Sequence, residues 1–221
     1  MDTATMQAAT EVAVQIPAED AILQGDLALP PQPRGLVIFA HGSGSSRHSP
    51  RNRYVAGVLQ QAGLGTLLMD LLTVDEEAVD QYTRHLRFDI PLLSGRLVAA
   101  TDWAKDEEQL RGLNIGYFGA STGAAAAIMA AAQRSDQVKA IVSRGGRPDL
   151  AEAALEQIQA ATLLLVGDRD YPVIDLNEQA FDRMKCEKRL TLVPRATHLF
   201  EEPGPLEQVA ELAASWFGTH L

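Results

Sequence analysis

The feature that most constrains the fold of this chain is an alternation of short apolar runs with longer helical segments. The apolar runs are rich in Val, Ile and Leu, as in GLVIFA at 35–40 and TLLLV at 162–166. Most are followed by a segment whose apolar residues recur with the period of a helix. Strands that are apolar on both faces and alternate with helices are typical of a parallel sheet covered by helices on both sides. The pattern therefore predicts an α/β protein.

Eight strands and about six helices are predicted. The strands are placed at 11–16, 21–29, 35–40, 65–70, 114–118, 138–143, 162–166 and 189–193. The first two lie close together and partly alternate, which indicates an antiparallel pair at one edge of the sheet. The helices are placed at 51–62, 82–105, 122–133, 150–159, 174–184 and 206–217, with an interruption at Pro91.

We expect one domain over residues 1–221 without a large cap, because no linker-like segment or long insertion divides the chain, and we expect disorder over residues 1–10.

The formal charge of −10 argues against nucleic-acid binding and against an anionic membrane surface, since both require a basic surface. The first residues lack a basic and apolar leader, which predicts a cytoplasmic protein. Cys186 is the only cysteine, so an internal disulfide is excluded. Small molecules are the expected partners.

The pentapeptide Gly119-Ala120-Ser121-Thr122-Gly123 is the strongest chemical signal. It lies between the strand-like run NIGYF and an Ala-rich helical segment. A serine at such a sharp turn adopts a strained backbone conformation, and glycines two residues away on each side let strand and helix approach. Ser121 is therefore predicted to be a nucleophile. The alternative is a helix N-cap serine with glycines that serve packing.

A nucleophilic serine needs an imidazole as base and a carboxylate that orients the imidazole. In the strand–turn–helix arrangement the chain order is serine, acid, histidine. Only His198 and His220 follow the serine, and His198 is preferred because it lies in a loop after a strand. Two aspartates, Asp168 and Asp170, follow the run TLLLV; Asp170 is preferred for its reach, while Asp168 could stabilise the turn.

Backbone N–H groups are expected to form the oxyanion hole. The N–H of Thr122 follows the nucleophile, and Ser43 in the loop HGSGSS at 41–46 is the second candidate. A glycine-rich loop could instead bind phosphate, but the phosphate-binding glycine signatures are absent from the sequence.

Five arginines fall near the carboxyl ends of predicted strands in an otherwise acidic chain. They are Arg47, Arg51, Arg53, Arg144 and Arg147. We expect one or two of them, Arg144 and Arg147 foremost, to bind a substrate carboxylate, with ion pairs on the rim as the alternative. His41 and His48 are interpreted as loop or pocket residues and His85 as part of a helix. No metal-ligand spacing joins them, so we expect no metal.

Four segments carry a resemblance to a known family. They are FAHGSGSS at 39–46, YFGASTG at 117–123, LLLVGDRDYPV at 163–173 and ATHLFEEPG at 196–204. Together they resemble the dienelactone hydrolase-like branch of the α/β-hydrolase superfamily over nearly the whole chain. The resemblance implies an α/β-hydrolase fold, a Ser121–Asp170–His198 triad, and hydrolysis of an ester or lactone without a cofactor. Dienelactone hydrolases proper carry a cysteine where Ser121 stands, so the resemblance does not name the substrate.

The favoured hypothesis is a serine hydrolase of the carboxylesterase type that acts on a small ester or lactone, with an anionic substrate suggested by the arginines. Acyl transfer to another acceptor and thioester cleavage would use the same residues. A non-catalytic binding protein on the same scaffold is the hypothesis from another class. The joint presence of serine, histidine, acid and glycine loop disfavours it, because a binding protein has no need of all four. Self-association into a homo-oligomer is compatible with the sequence.

Overall fold

The computed structural model describes residues 9–19 and 21–221, and eight strands within them form one sheet. The strands are β1 (Thr10–Ala18), β2 (Ala21–Leu29), β3 (Leu36–Ala40), β4 (Gly65–Met69), β5 (Ile115–Ala120), β6 (Val138–Arg144), β7 (Ala161–Gly167) and β8 (Lys188–Val193). The disorder expected over residues 1–10 concerns mainly residues 1–8, which lie outside the described residues, and residue 10 already belongs to β1.

The sheet has the order β1-β2-β4-β3-β5-β6-β7-β8. The two leading strands pair antiparallel with each other, and β2 is also antiparallel to β4, whereas all other neighbours are parallel. The predicted mostly parallel sheet with an antiparallel edge is therefore confirmed. The chain runs outward from β3 to β4 and then returns to β5 on the other side of β3. Such a reversal leaves a crevice at the carboxyl ends of the strands, where ligands bind in this class of fold.

Within the described residues, six α-helices cover the sheet. They are α1 (Pro50–Gln61), α2 (Val74–Thr83), α3 (Ile90–Asp106), α4 (Thr122–Gln133), α5 (Tyr171–Arg183) and α6 (Pro205–His220). Side chains of β3 alternate between two apolar clusters: Val37 and Phe39 pack with α1 and α6, while Leu36, Ile38 and Ala40 pack with α3, α4 and α5. Two layers of helices therefore enclose a sheet that is apolar on both faces.

The long helix predicted over 82–105 is instead made of separate pieces. α2 begins at Val74, eight residues before the predicted helix, and a capping box between Thr73 and Glu76 marks its start. A 3₁₀ turn over Leu86–Phe88 separates α2 from α3. Pro91 lies in the first turn of α3, where a backbone N–H has no helical acceptor, so this proline helps to start a helix rather than interrupt one.

Two further local predictions are wrong. His85 lies between α2 and the 3₁₀ turn, not within a helix. The helix predicted over 150–159 is a run of 3₁₀ turns over Pro148–Glu156, broken at Glu152, whose φ is 46° and ψ is −118°. The carbonyl oxygen of Glu152 accepts a hydrogen bond of 3.0 Å from the Arg183 guanidinium of α5.

Candidate active site

Ser121 stands at the junction of β5 and α4. Its φ of 50° and ψ of −123° place it in a region that side chains rarely adopt, at a cost of about 1–3 kcal/mol. Although Ser121 occupies the N-cap position of α4, its side chain makes no capping hydrogen bond. The alternative interpretation of Ser121 as a capping residue for α4 therefore does not apply, since its hydroxyl does not cap the helix.

The two glycines that flank Ser121 are required by close backbone contacts. A Cβ atom on Gly119 would lie 2.5 Å from the Cα of Ala124, and one on Gly123 would lie 2.2 Å from the carbonyl oxygen of Ala40. Neither separation is sterically acceptable, so the absence of a side chain lets α4 approach both β5 and the end of β3. The glycine spacing in the sequence is thus explained by the tight strand–turn–helix geometry.

A histidine and an aspartate from two later loops meet beside this turn. The Nδ1 atom of His198 lies 2.7 Å from Oδ2 of Asp170, which precedes α5 directly, while His198 follows β8. The Asp170 side chain is only 12% exposed, so the interaction is partly shielded from water. With Asp170 accepting from Nδ1, the Nε2 atom of His198 is left free for a proton acceptor role.

The competing residues lie elsewhere or make other contacts. His220 bonds through Nδ1 to the carbonyl oxygen of Trp216, at 2.8 Å, at the end of α6. Asp168 has a buried Oδ1 without a hydrogen-bond partner among the described residues, and its backbone N–H donates to Val193. The carboxylate that reaches His198 is therefore that of Asp170.

Ser121 and His198 line the same cavity, which has a volume of about 250 Å³. The walls are formed by the loop after β3, the β5–α4 turn, the end of β6 and the loop after β8. The full lining comprises Gly42, Ser43, Ser45, Ser49, Arg51, Ala120, Ser121, Arg144, Gly145, His198 and Leu199. A cavity of this size at the carboxyl edge of the sheet fits a small organic molecule.

The loop after β3 lies directly against the nucleophile. A Cβ atom on Gly42 would stand 3.0 Å from the Cβ of Ser121. The next backbone N–H, that of Ser43, donates a hydrogen bond of 3.0 Å to the Thr122 hydroxyl. Thr122 is also the first residue of α4, where helix N–H groups lack intrahelical acceptors. Both predicted oxyanion donors, Ser43 and Thr122, are thus brought together next to Ser121.

His41 fixes the position of this loop. Its Nδ1 bonds to the carbonyl oxygen of Gly42 at 2.9 Å, and its Nε2 accepts the backbone N–H of Leu71 at 3.1 Å. Desolvation of the ring lowers the pKa of His41, against the opposing effects of the Gly42 hydrogen bond and of the Asp70 and Glu77 carboxylates. A neutral imidazole is the form that both hydrogen bonds require, because Nε2 must accept.

The five arginines near the strand ends fall into two groups. Four of them form ion pairs: Arg47 with Asp70, Arg51 with Glu201, Arg53 with Asp26 and Glu11, and Arg147 with Asp149. Arg147 uses two nitrogen atoms, each 2.9 Å from an Asp149 oxygen, and it does not line the cavity. Arg144 does line the cavity and has no carboxylate partner among the described residues. Of the two arginines predicted foremost, the structure therefore brings only Arg144 to the site.

Within residues 9–19 and 21–221, no group of three or more His, Cys, Asp or Glu side chains is arranged to hold a metal ion. No helix in the same part of the chain is both long enough and apolar enough to cross a bilayer.

Comparison with known proteins finds relatives that match nearly the whole chain. The family model described as the dienelactone hydrolase family matches residues 24–219. The crystal structure of a dienelactone hydrolase from Anabaena variabilis is 57% identical, with a TM-score of 0.96 and coverage of 97% of this chain and 100% of that chain. Est1E from Butyrivibrio proteoclasticus, solved with ferulic acid bound, has a TM-score of 0.78 at 19% identity over 94% of this chain and 99% of its own. At that identity, the likeness shows the fold alone.

Two proteins of Mycobacterium tuberculosis, each named "Putative phosphoribosyl transferase", are 55% identical to this chain over 208 residues, or 94% of its length. The chain spans about half of these longer proteins, 46% of each. The family model covers both the nucleophile turn and the His198 loop, and the Anabaena relative covers 97% of this chain. This chain therefore belongs to the dienelactone hydrolase family and has the α/β-hydrolase fold.

Proposed function

We propose that the chain is a serine hydrolase that cleaves carboxylic esters or lactones through a covalent acyl-enzyme. The observation that carries the proposal is the hydrogen bond between His198 and Asp170 at the edge of the cavity that also contains Ser121 in its strained turn. A nucleophile, a base and an orienting carboxylate in that order are what acyl transfer by serine requires.

In the first half-reaction, Oγ of Ser121 attacks the carbonyl carbon while Nε2 of His198 takes the hydroxyl proton. Asp170 holds the imidazole in the tautomer with Nδ1–H and stabilises the imidazolium that forms. The tetrahedral intermediate collapses when the C–O bond to the leaving group breaks and His198 returns the proton to the leaving oxygen. For a lactone, that oxygen stays attached to the acyl chain.

In the second half-reaction, water attacks the acyl-enzyme and His198 takes its proton. Collapse of the second intermediate releases the acid and returns the proton to Ser121. In both steps negative charge develops on the carbonyl oxygen, which the N–H groups of Ser43 and Thr122 would stabilise. The Ser43 N–H must then exchange its bond with the Thr122 hydroxyl for one with the oxyanion.

Acyl transfer and thioester cleavage would use the same three residues, and no feature of the cavity favours them over hydrolysis. The phosphoribosyl transferase name belongs to proteins about twice as long, and this chain's own residues offer a nucleophile–base–acid set suited to acyl chemistry. We therefore do not extend that name to this chain.

The proposal is tested with a fluorophosphonate probe and intact-mass detection, together with 4-nitrophenyl ester hydrolysis. The wild type is expected to gain one adduct per chain, and Ser121→Ala and His198→Ala are expected to lose both the adduct and at least about 10³-fold in kcat. Ser215→Ala and His220→Gln serve as matched controls on α6, and both should be labelled like the wild type. A wild type that is neither labelled nor active on any ester would refute the proposal.

A further inference from the structure

The helix α2 is attached to the rest of the molecule through acidic side chains. Asp80 is its one buried residue and pairs with Arg87 of the 3₁₀ turn that follows, while Glu76 pairs with Arg96 of α3 at 2.7 Å. A surface helix normally turns an apolar stripe toward the core and its polar residues toward water. The inward side of α2 is therefore charged where that of most surface helices is apolar.

The apolar side chains of α2 face the solvent instead. Val74 is 78% exposed, Val79 53% and Tyr82 89%, and Ala78 is exposed as well. Val74, Ala78 and Tyr82 follow one another at intervals of four residues, so they form a row along one side of the helix. Val79 precedes Tyr82 by three residues and therefore adjoins the row. These four residues are called the α2 stripe.

The α2 stripe differs from the isolated apolar residues that every protein surface carries. Single exposed apolar side chains need no explanation, whereas a contiguous group of them marks a contact surface. The inverted orientation of α2 strengthens that reading, because the same helix has acidic groups to turn outward and turns them inward. Residues 9–19 and 21–221 leave the stripe exposed, so another molecule has to provide its cover.

Charges of opposite sign lie at the two ends of the α2 stripe. Asp75 is in the first turn of α2, Arg84 caps its carboxyl end, and both are exposed. The ion pairs of this segment within the described residues engage Glu76 and Asp80 instead. The separation of Asp75 and Arg84 corresponds to about 14 Å along a helix axis. Two copies of α2 packed antiparallel therefore place Asp75 of each copy opposite Arg84 of the other.

We propose that two copies of this chain form a dimer with twofold symmetry, in which the α2 stripes pack against each other antiparallel. Such an interface uses the same patch on both subunits, so the patch must be complementary to itself. The stripe provides apolar contact at the centre, and the pairs between Asp75 and Arg84 provide charge complementarity at both ends and fix the register. An anionic lipid surface is a poor alternative occupant, because the chain carries a charge of −10.

The length of the α2 stripe sets the strength expected of the dimer. α2 has 10 residues and is about 15 Å long, which places the interface at the small end of the range for specific complexes. We therefore expect a Kd of about 1–100 µM. The inference goes beyond the proposed ester hydrolysis and does not depend on it, because no residue of the stripe lines the cavity of Ser121.

Sedimentation equilibrium tests the dimer at chain concentrations from about 1 to 500 µM, in about 0.15 M salt to screen the net charge. The weight-average mass of the wild type is expected to rise from 23.9 kDa toward twice that value. Tyr82→Glu places a charge within the stripe and should raise Kd at least about tenfold, and Ala78→Glu replaces it if that variant does not fold.

Tyr171→Glu is the matched control, since Tyr171 is 69% exposed at the start of α5, outside the stripe. It should leave Kd within about twofold of the wild type. A wild type that stays monomeric throughout, or that dimerises no better than Tyr82→Glu and Ala78→Glu, overturns the proposal.

Charge reversal tests the antiparallel register. Asp75→Lys and Arg84→Glu each bring like charges together in a dimer of identical copies, and each should raise Kd about tenfold. In a dimer with one copy of each variant both pairs are attractive again, so an equimolar mixture should associate within about threefold of the wild type. A mixture that associates no better than either variant alone contradicts the register. A monomeric wild type that binds phosphatidylcholine vesicles assigns the stripe to a lipid surface and overturns the dimer.

Discussion

At the scale of single residues, the candidate site depends on two glycines as well as on the nucleophile candidate Ser121. Ser121 has a positive φ at the sharp turn from β5 into α4. Gly119 and Gly123 permit this turn, because a Cβ atom on either residue would clash with neighbouring backbone. The backbone strain is therefore located at the residue proposed to react. Small residues are therefore as necessary to the site as the nucleophile.

Gly123→Ala tests this requirement. The new Cβ would lie 2.2 Å from the Ala40 carbonyl oxygen, so the free energy of unfolding is expected to fall by about 1–3 kcal/mol. Gly57→Ala is the control, since nothing lies within 4 Å of its Cβ, and alanine in the interior of α1 should stabilise by about 0.5–1 kcal/mol. Urea unfolding measures both. Equal stability of Gly123→Ala and the wild type would contradict the packing argument.

At the scale of elements, the site is held by contacts between loops that follow different strands. His41 links the loop after β3 to the backbone of Leu71, after β4, through its two ring nitrogens. The Ser43 N–H is bonded to Thr122 at the start of α4. The predicted oxyanion loop is thus positioned by two neighbouring elements, and one of the contacts depends on a titratable group.

The stability of this arrangement is expected to depend on pH through His41. Because desolvation lowers the pKa of His41, the unfolded chain takes up a proton below about pH 6.5 while the folded state remains neutral. The free energy of unfolding should therefore decrease as the pH falls below that value, by at most about 1.4 kcal/mol per pH unit. Urea unfolding of the wild type and His41→Gln between pH 5 and pH 8 checks this. The variant should have the shallower dependence, and identical pH profiles would exclude His41 as the cause.

At the scale of the whole molecule, the carboxyl edge of the sheet combines a strained turn and an uncompensated charge within a well-packed sheet. Both faces of the sheet are covered by apolar clusters, and most surface arginines are paired. Arg144 departs from that pattern because its charge is buried without a carboxylate. An unpaired buried cation is costly, because neither water nor a counter-ion compensates it.

Arg144→Met and Arg96→Met should therefore change the stability in opposite directions. Replacing the unpaired Arg144 by an apolar side chain is expected to keep or raise Tm, with a gain of about 2–4 °C for each kcal/mol. Replacing Arg96 leaves Glu76 without its ion-pair partner and should cost about 1–3 kcal/mol. Calorimetric Tm values of the two variants and the wild type provide the comparison. A similar decrease in both would mean that Arg144 is structurally compensated.

The sequence by itself determined the fold class, the eight strands to within two residues at each end, and the turn that carries Ser121. These features are local: apolar runs and glycine spacing express constraints between residues a few positions apart. Predictions based on local periodicity failed where the backbone leaves the helical region, as at Glu152, or where a proline starts a helix, as at Pro91.

Only the tertiary structure decided which charged groups are paired. Sequence spacing left Asp168 and Asp170 as alternatives and treated Arg144 and Arg147 alike, and the structure places Asp170 on His198 and Asp149 on Arg147. It also buries Arg144 without a carboxylate partner among the described residues, with Nη2 at 3.5 Å from Oδ1 of Asn52, a residue 92 positions away in the chain. The physical reason is that an ion pair depends on distances between side chains of different elements, and those distances exist only once the sheet has assembled.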